Sequence, residues 1–518
     1  MSGDFPGAVE KHASERPGHA AFVFAGQTIT YAELDEQVNR VANSLLEAGL
    51  CRGDHLVTLL PQCLPFAVLY LATGRIGLVL VPLDPRLTSI EMKSLCDRIK
   101  PKVLVTLGSP DAIRSAVQSL VDSYRFEQVF YWFGKSVHES SRPYETLLAA
   151  GSAPVPANLR PELDDPWIIV FTSGTTGRPK GAMLSHRNAW ALAEATARQW
   201  KITPSDVSLC NMPTSHVAGT HNQLAVQLRA GATGILVPKF DPVQTLELLG
   251  QYSVTYFGGV PTMFRLMFRR CNALDYDTRS VRVVVTAGEP ASAELIREIA
   301  AAFPGAVVAS SWGMTETSGF FTFTSLDDGT EIVAETEGRP DPAFEMKILG
   351  PDGQSLATGA VGELTVRGPS VMRSYMDPSD NAGVISDGWL RTGDLGYLDE
   401  AGYLHFAGRS KEMYISGGYN VYPLEIESYL NAYPGVNTSA VIAVPHEVWG
   451  EAGVAFVVPE DDAVLTAADL ENYCREGLAS YKRPGKICVA QNLPMSLIGK
   501  IAKRQLRESL AQYLHPDT

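Results

Sequence analysis

The sequence predicts an α/β protein with a large N-terminal part built on mostly parallel, buried sheets, a β-rich subdomain and a small α+β C-terminal domain. Short apolar runs at 79–82, 103–106, 168–171, 234–238 and 281–285 are bounded by turn residues and separated by helix-like segments. That alternation is expected of parallel sheets covered on both faces. After about residue 345 the texture changes to short strands and tight turns, with Gly350-Pro351-Asp352-Gly353 and Leu398-Asp399-Glu400-Ala401-Gly402 reading as hairpins. From about Gly408 a third pattern follows: strands at 440–444 and 452–458, then a helix at 467–478.

Each element has a local reason. In 30–49, Leu34, Val38, Val41 and Leu45 recur at helical spacing behind Thr30-x-x-Glu33, a capping box, so a helix is expected there. The most apolar stretch, 64–81, is interrupted by Pro65 and Arg75 and is too broken to span a bilayer, which needs roughly 20 apolar residues. The stretch 151–166 carries Pro154, Pro156, Pro161 and Pro166 and reads as an exposed connector.

The 518 residues include 45% hydrophobic and 19% charged side chains, with a mean hydropathy near zero. Such a chain forms large cores, and at roughly 100–200 residues per domain it predicts about three domains or subdomains. The net charge of -14 repels phosphate backbones and anionic lipid, which argues against nucleic acid as a partner. Cys51, Cys63, Cys96, Cys210, Cys271, Cys474 and Cys488 are odd in number and scattered, predicting a reducing, cytoplasmic setting rather than a disulfide framework or a cysteine-rich zinc site. Met1-Ser2-Gly3-Asp4 has no basic-then-apolar pattern, so no signal peptide is expected.

The first chemically informative motif follows the apolar run 167–171: Thr172-Ser173-Gly174-Thr175-Thr176-Gly177-Arg178-Pro179-Lys180-Gly181. Small hydroxyls and glycines let backbone N–H and side-chain O–H groups converge on phosphate oxygens, while Lys180 supplies a point charge. A Walker A loop is excluded, because Arg178-Pro179 separate Gly177 from Lys180, and Gly181 stands where Ser or Thr is needed. Further on come Ala287-Gly288-Glu289-Pro290, Ser310-Ser311-Trp312-Gly313-Met314-Thr315-Glu316-Thr317, Trp389-Leu390-Arg391-Thr392-Gly393-Asp394, Gly408-Arg409-Ser410-Lys411-Glu412, Ser416-Gly417-Gly418-Tyr419-Asn420 and Gly499-Lys500-Ile501. Taken alone, Asp394 reads as a turn residue beside Gly393, and Lys500 as a solvated surface lysine.

Together and in this order, over about residues 20–510, these motifs resemble the adenylate-forming superfamily, which includes acyl-CoA and aryl-CoA ligases, adenylation domains of nonribosomal peptide synthetases and luciferases. The resemblance implies an acyl-CoA synthetase-like fold divided as 1–408 and 409–518, with a mobile small domain and a hinge at Lys411. It implies ATP or AMP binding by Thr172, Ser173, Gly174, Thr175, Thr176, Gly177, Lys180, Gly288, Glu289, Trp312, Gly313, Met314, Thr315, Asp394, Arg409 and Lys500. Within that set Trp312 replaces the usual Tyr as the ring stacked on adenine, Thr315 contacts the α-phosphate, Asp394 accepts the ribose hydroxyls, and Ser310 stands where many members have Gln or Asn. Glu316 is the implied Mg²⁺ ligand, Gly417 and Gly418 the implied passage for the CoA pantetheine arm, and Lys500 the lysine that enters the site during adenylation. His216, in Asn211-Met212-Pro213-Thr214-Ser215-His216-Val217-Ala218-Gly219, matches the family's gate residue. Lys500, Thr315 and His216 are thus the implied catalytic residues, and His216, Val217, Phe257, Gly288, Gly313 and Ser318 the implied acid pocket.

The chemistry follows. A carboxylate acylates poorly because its leaving group would be oxide, so attack on the α-phosphate of ATP makes an acyl-AMP with pyrophosphate as leaving group, and CoA then takes the acyl group. Amino-acid-activating members of the superfamily usually carry an Asp in this stretch to pair the substrate ammonium, and none occurs in 211–219, which disfavours amino acids; the segments that the resemblance places around the acid are apolar or small, which suits a hydrophobic monocarboxylic acid, fatty or aromatic. Arg265 near Pro261 leaves a dicarboxylate open. Alternatives are transfer to a carrier-protein phosphopantetheine, a luciferase-like oxygenase, and a nucleotide-binding sensor without catalysis; a homodimer is also open.

Overall fold

The computed structural model describes residues 5–172, 178–416, 419–495 and 501–510. Two large sheets dominate it. The first runs in the order Ser374–Tyr375, Lys180–Ser185, Pro166–Thr172, Val79–Pro82, His55–Leu59, Val103–Gly108, Gln128–Gly134 and Arg142–Pro143, parallel in its centre with Lys180–Ser185 folded back antiparallel on Pro166–Thr172. The second runs Val307–Ser311, Val283–Ala287, Tyr256–Gly259, Val207–Cys210, Thr233–Leu236, Ala20–Phe24 and Gln27–Thr30.

Three apolar clusters show how the layers stack. A central core joins inward residues of both sheets, such as Leu56, Leu80, Phe22 and Val283, with helices Tyr31–Glu47, Leu64–Ile76 and His186–Gln199. A second core lies under helices Pro242–Gln251, Pro261–Arg270 and Ala293–Ala302, and a third under Ser89–Ile99 and Asp111–Ser123. The order is helix, sheet, helix, sheet, helix, so both sheets are covered on both faces, as their continuous apolar strands require.

Helix Tyr31–Glu47 begins at the expected capping box: Glu33 N–H reaches Thr30 Oγ1 at 3.3 Å and Thr30 N–H reaches Glu33 Oε2 at 2.8 Å. The interrupted apolar stretch is a helix, Leu64–Ile76, with Pro65 in its first turn where the missing N–H costs nothing. Its Arg75 is fully buried and paired with Asp35 at 2.7 Å, Asn39 at 2.6 Å and Glu10 at 3.6 Å. Among the described residues no helix is long and apolar enough to cross a membrane.

The texture change after residue 345 corresponds to an antiparallel sheet of Glu345–Leu349, Gly362–Arg367, Trp389–Leu398 and Ile385–Ser386, with Leu404–Arg409 pairing Trp389–Leu398. The C-terminal sheet, Tyr419–Val421, Tyr414–Ser416, Gly450–Pro459, Val436–His446 and Lys486–Val489, has its own core with helices Pro423–Asn431 and Ala467–Gly477. The protein is therefore a mixed α/β fold with a large N-terminal and a small C-terminal domain.

Candidate active site

The site is assembled where strand ends meet. Parallel strands Val283–Ala287 and Val307–Ser311 end in register, Ala287 beside Ser311, and release the turn at Gly288 and the segment starting at Trp312. In a parallel α/β sheet this carboxyl edge is where ligands bind. Gly288 has φ +91°, a left-handed conformation that suits glycine. Gly313 pairs with Phe320, and a Cβ on it would sit 2.0 Å from the Gly319 carbonyl, so only glycine fits there.

Trp312 is buried, edge-on to Phe321, and its indole N–H donates to Asp394 Oδ2 at 3.0 Å. Asp394 stands opposite Arg409 on the paired strands Trp389–Leu398 and Leu404–Arg409, and Arg409 Nε lies 3.3 Å from Asp394 Oδ1. Thr392 fixes the turn by bonding the Leu364 carbonyl at 2.7 Å and accepting Asp394 N–H at 3.0 Å. The turn residue beside Gly393 is thus a buried carboxylate aimed at an aromatic N–H and a guanidinium.

Thr315 and Glu316 are buried in the short turn Thr315–Thr317. Tyr375 O–H donates to Glu316 Oε1 at 2.5 Å, and Met372 N–H bonds the Glu316 carbonyl at 2.7 Å. Burial pushes the Glu316 carboxyl up, opposed by the Tyr375 bond and by Arg409 nearby, while Asp394 pushes it further up. The Tyr375 ring also lies 4.9 Å from Lys180 Nζ, which is 3.7 Å from Asp380 Oδ1. Lys180, Glu316, Asp394, Arg409 and Trp312, far apart in sequence, form one contiguous cluster.

His216 sits in a tightly held loop. Gln62 donates to the carbonyls of Met212 and Gly219 at 3.0 and 3.1 Å, and Gln223 accepts Met212 N–H at 2.9 Å. Ala218 N–H donates to His216 Nδ1 at 3.1 Å, which places the proton of the neutral ring on Nε2. Thr172 ends the strand before the glycine- and threonine-rich loop, and its hydroxyl lies 3.5 Å from the Lys180 carbonyl.

Two residues expected at the acid pocket, Phe257 and Ser318, are placed elsewhere. The ring of Phe257 faces the outer helix layer, 5.9 Å from Phe264 and 5.4 Å from Phe303, because side chains alternate along its strand; Gly258 takes the other face. Ser318 is fully buried at φ 65°, with its hydroxyl committed to the Ser370 carbonyl at 2.7 Å. Val217 is buried at the start of the helical segment Ala218–Ala225. Glu289 is half-buried beside Gly288, and Lys411 is exposed in the turn after Leu404–Arg409. Ser173, Gly174, Thr175, Thr176, Gly177, Gly417, Gly418 and Lys500 lie outside the described residues.

Comparison with known proteins gives the family. The AMP-binding enzyme family model matches residues 9–376, and the AMP-binding enzyme C-terminal domain matches 425–500. The chain belongs to the AMP-binding enzyme family. It is 33% identical to an indoleacetate–CoA ligase of Aromatoleum aromaticum over 97% of this chain and 98% of that protein. It is also 33% identical to a feruloyl-CoA synthase of Amycolatopsis over 96% and 97%. Its fold matches ATP-bound MatB from Rhodopseudomonas palustris with a TM-score of 0.89 at 32% identity, covering 98% of this chain and 99% of that one. This AMP-binding enzyme is an ATP-dependent, AMP-forming acid–CoA ligase, with a small-molecule acid, ATP and CoA as substrates.

Sequence reasoning missed the supports. Tyr375 and Asp380 lie in a stretch with no recognisable motif, yet they face Lys180 and Glu316. Arg98, on helix Ser89–Ile99, donates to the Pro179 carbonyl at 2.9 Å and pairs with Asp377, which also accepts from Arg178 at 2.8 Å. These arginines hold the Asp377 carboxyl below its usual range, the Arg98 hydrogen bond being the main cause. A long-range ion pair of this kind leaves no periodic signal in the chain.

Proposed function

We propose that this ligase activates a hydrophobic monocarboxylic acid, with ring-bearing acids preferred to straight chains, and that the motif residues act as the resemblance implies. The observation that carries the assignment of roles is the cluster itself: a buried aromatic tied to a buried carboxylate, beside a second buried carboxylate and two cations. Trp312 supplies the stacking surface for the base and Asp394 the acceptors for the ribose hydroxyls. Arg409, Lys180 and the motif residues of 172–180 are assigned to the phosphates. Thr315 and Lys500 stabilise the charge that gathers on the α-phosphoryl group as the acid carboxylate attacks and pyrophosphate leaves.

Glu316 fits Mg²⁺. It is a single buried carboxylate, oriented by Tyr375, and one carboxylate completed by phosphate oxygens and water is a usual Mg²⁺ environment. When bound, Mg²⁺ neutralises charge on the phosphates. Tyr375 holds Glu316 in place for it, and its ring keeps Lys180 near the same oxygens.

His216, protonated on Nε2, stands at the gate between the acid and the thiol. Val217, Gly288, Gly313 and the strand face bearing Gly258 border the acid. Burial disfavours the Arg265 charge, and Glu289, Glu298 and Glu294 act on it electrostatically, so it is not a free cation for a second substrate carboxylate and a dicarboxylate is not favoured. The names of relatives give the ring preference its support: indoleacetate, ferulate, and in Mycobacterium tuberculosis a methyl-dioxo-octahydroindenyl propanoate. For the second half reaction the small domain, 409–518, turns about Lys411, withdraws Lys500 and presents Gly417 and Gly418 to CoA. The seven cysteines form no disulfide, which supports a reducing, cytoplasmic setting.

The test is incubation with ATP, Mg²⁺, CoA and a mixed panel of indole, cinnamic, polycyclic, fatty and short dicarboxylic acids, read by mass. Ring-bearing thioesters are expected to dominate. Dominant fatty or dicarboxylic thioesters would overturn the acid preference, and acyl-adenylates without thioesters would redirect the second step to a carrier protein.

A further inference from the structure

Glu337 is a carboxylate at the nucleotide cluster that none of these roles uses. Its carbonyl accepts from Thr322 Oγ1, and Thr322 Oγ1 in turn accepts Trp312 N–H at 3.0 Å. Its own N–H donates to the Leu404 carbonyl at 2.8 Å, on the strand that ends at Arg409. One side-chain oxygen, Oε2, accepts from Ser310 Oγ at 3.2 Å. The residue is therefore tied to the backbone on either side of the base-stacking position, and its carboxylate is oriented by the residue two before Trp312.

What it lacks is equally informative. Among the described residues Glu337 has no cationic partner, and Oε1 accepts no hydrogen bond, although the side chain is half enclosed. Burial pushes its carboxyl up to about 7. A partly enclosed carboxylate, oriented through one oxygen and open at the other, beside a ligand site, fits a ligand group that donates. The Ser310 hydroxyl is shared between Glu337 Oε2 at 3.2 Å and the Thr336 carbonyl at 3.3 Å, so it is committed within the protein.

We propose that Glu337 reads the base of the nucleotide, accepting a hydrogen bond from the 6-amino group of adenine and rejecting purines that carry an oxygen at that position. This rests on the reading that Trp312 stacks the base. A 6-oxo purine would set two acceptors against each other and leave both without a donor, the kind of mismatch that hydrogen-bonding pockets reject. The Ser310 hydroxyl acts as a positioning group, since it touches the carboxylate.

The experiment compares ATP with ITP, which carries a 6-oxo group in place of the 6-amino group. Acid-dependent pyrophosphate release is measured with wild type, Glu337→Gln, Glu337→Ala and Ser310→Ala. Glu337→Gln keeps the shape but offers an N–H, so the ATP:ITP ratio of kcat/KM is expected to fall about ten-fold or more, partly through better use of ITP. Glu337→Ala should lose ATP use without gaining ITP use, and Ser310→Ala should shift the ratio in the same direction as Glu337→Gln by a smaller factor. A merely structural role would lower both nucleotides together. An unchanged ratio in Glu337→Gln, with wild type active on ATP, overturns the proposal and leaves the site intact. If Glu337→Gln does not fold, an unchanged ratio in Ser310→Ala overturns it. A wild type that uses ATP and ITP equally also overturns it, whereas a wild type that releases no pyrophosphate from either overturns the underlying reading of the site.

Discussion

The Tyr375 hydroxyl donates to Glu316 Oε1 at 2.5 Å while the face of the same ring lies 4.9 Å from the Lys180 ammonium. One side chain thus sets the distance between the proposed metal carboxylate and the phosphate lysine. Tyr375→Phe keeps the ring and removes only the hydrogen bond. A bond to a charged group contributes about 1.5–3 kcal/mol, so kcat/KM for ATP should fall about ten-fold or more. The Mg²⁺ concentration for half-maximal rate should rise as well. A variant whose Mg²⁺ titration overlays that of wild type would remove Tyr375 from this role.

Arg98 makes a second, remote prediction. By holding the Pro179 carbonyl and Asp377, it fixes the trailing end of the phosphate loop to helix Ser89–Ile99. Arg98→Met should raise KM for ATP by about ten-fold while leaving KM for the acid within about two-fold. Steady-state kinetics with each substrate varied in turn checks the split. Equal rises in both constants would mean a general loss of structure.

Why were the motifs legible and their supports not? Thr172, Trp312, Glu316 and Asp394 act through residue type at fixed spacing, and strands 79–82 and 103–108 announce themselves by apolar runs. Tyr375, Arg98 and Glu337 act through contacts that cross 59, 279 and 27 residues of chain, and such pairings are set only when sheets and loops close. Phe257 shows the reverse failure. Motif order puts its segment at the acid, but strand alternation turns the ring into the core and leaves Gly258 on the other face.

The two half reactions should separate by mutation. Lys500→Ala is expected to abolish acyl-adenylate formation yet spare thioester formation from a supplied acyl-adenylate. Lys411→Pro should do the opposite, because proline fixes φ at the residue proposed as the hinge. Stopped assays of each half reaction decide it, and equal loss of both in either variant would contradict the two-conformation scheme.

Acid should weaken the central core through two histidines. His186 is buried, stacked on Trp167 at 4.6 Å, with neither ring nitrogen hydrogen-bonded among the described residues; buried His221 faces the Ser318 carbonyl through Nδ1 at 3.1 Å. Burial lowers both to about 4. Since both lie below the ordinary histidine value, the folded state holds them neutral. Their contribution is complete above about pH 6.5 and is lost as pH falls toward 4, where the unfolded chain binds the extra protons. Between pH 6.5 and 5 each should cost about 2 kcal/mol. His186→Phe keeps an aromatic ring on Trp167 but cannot take a proton. Its unfolding midpoint in urea should therefore drop less between pH 7.5 and pH 5 than that of wild type, and an equal drop would show that His186 does not carry the acid sensitivity.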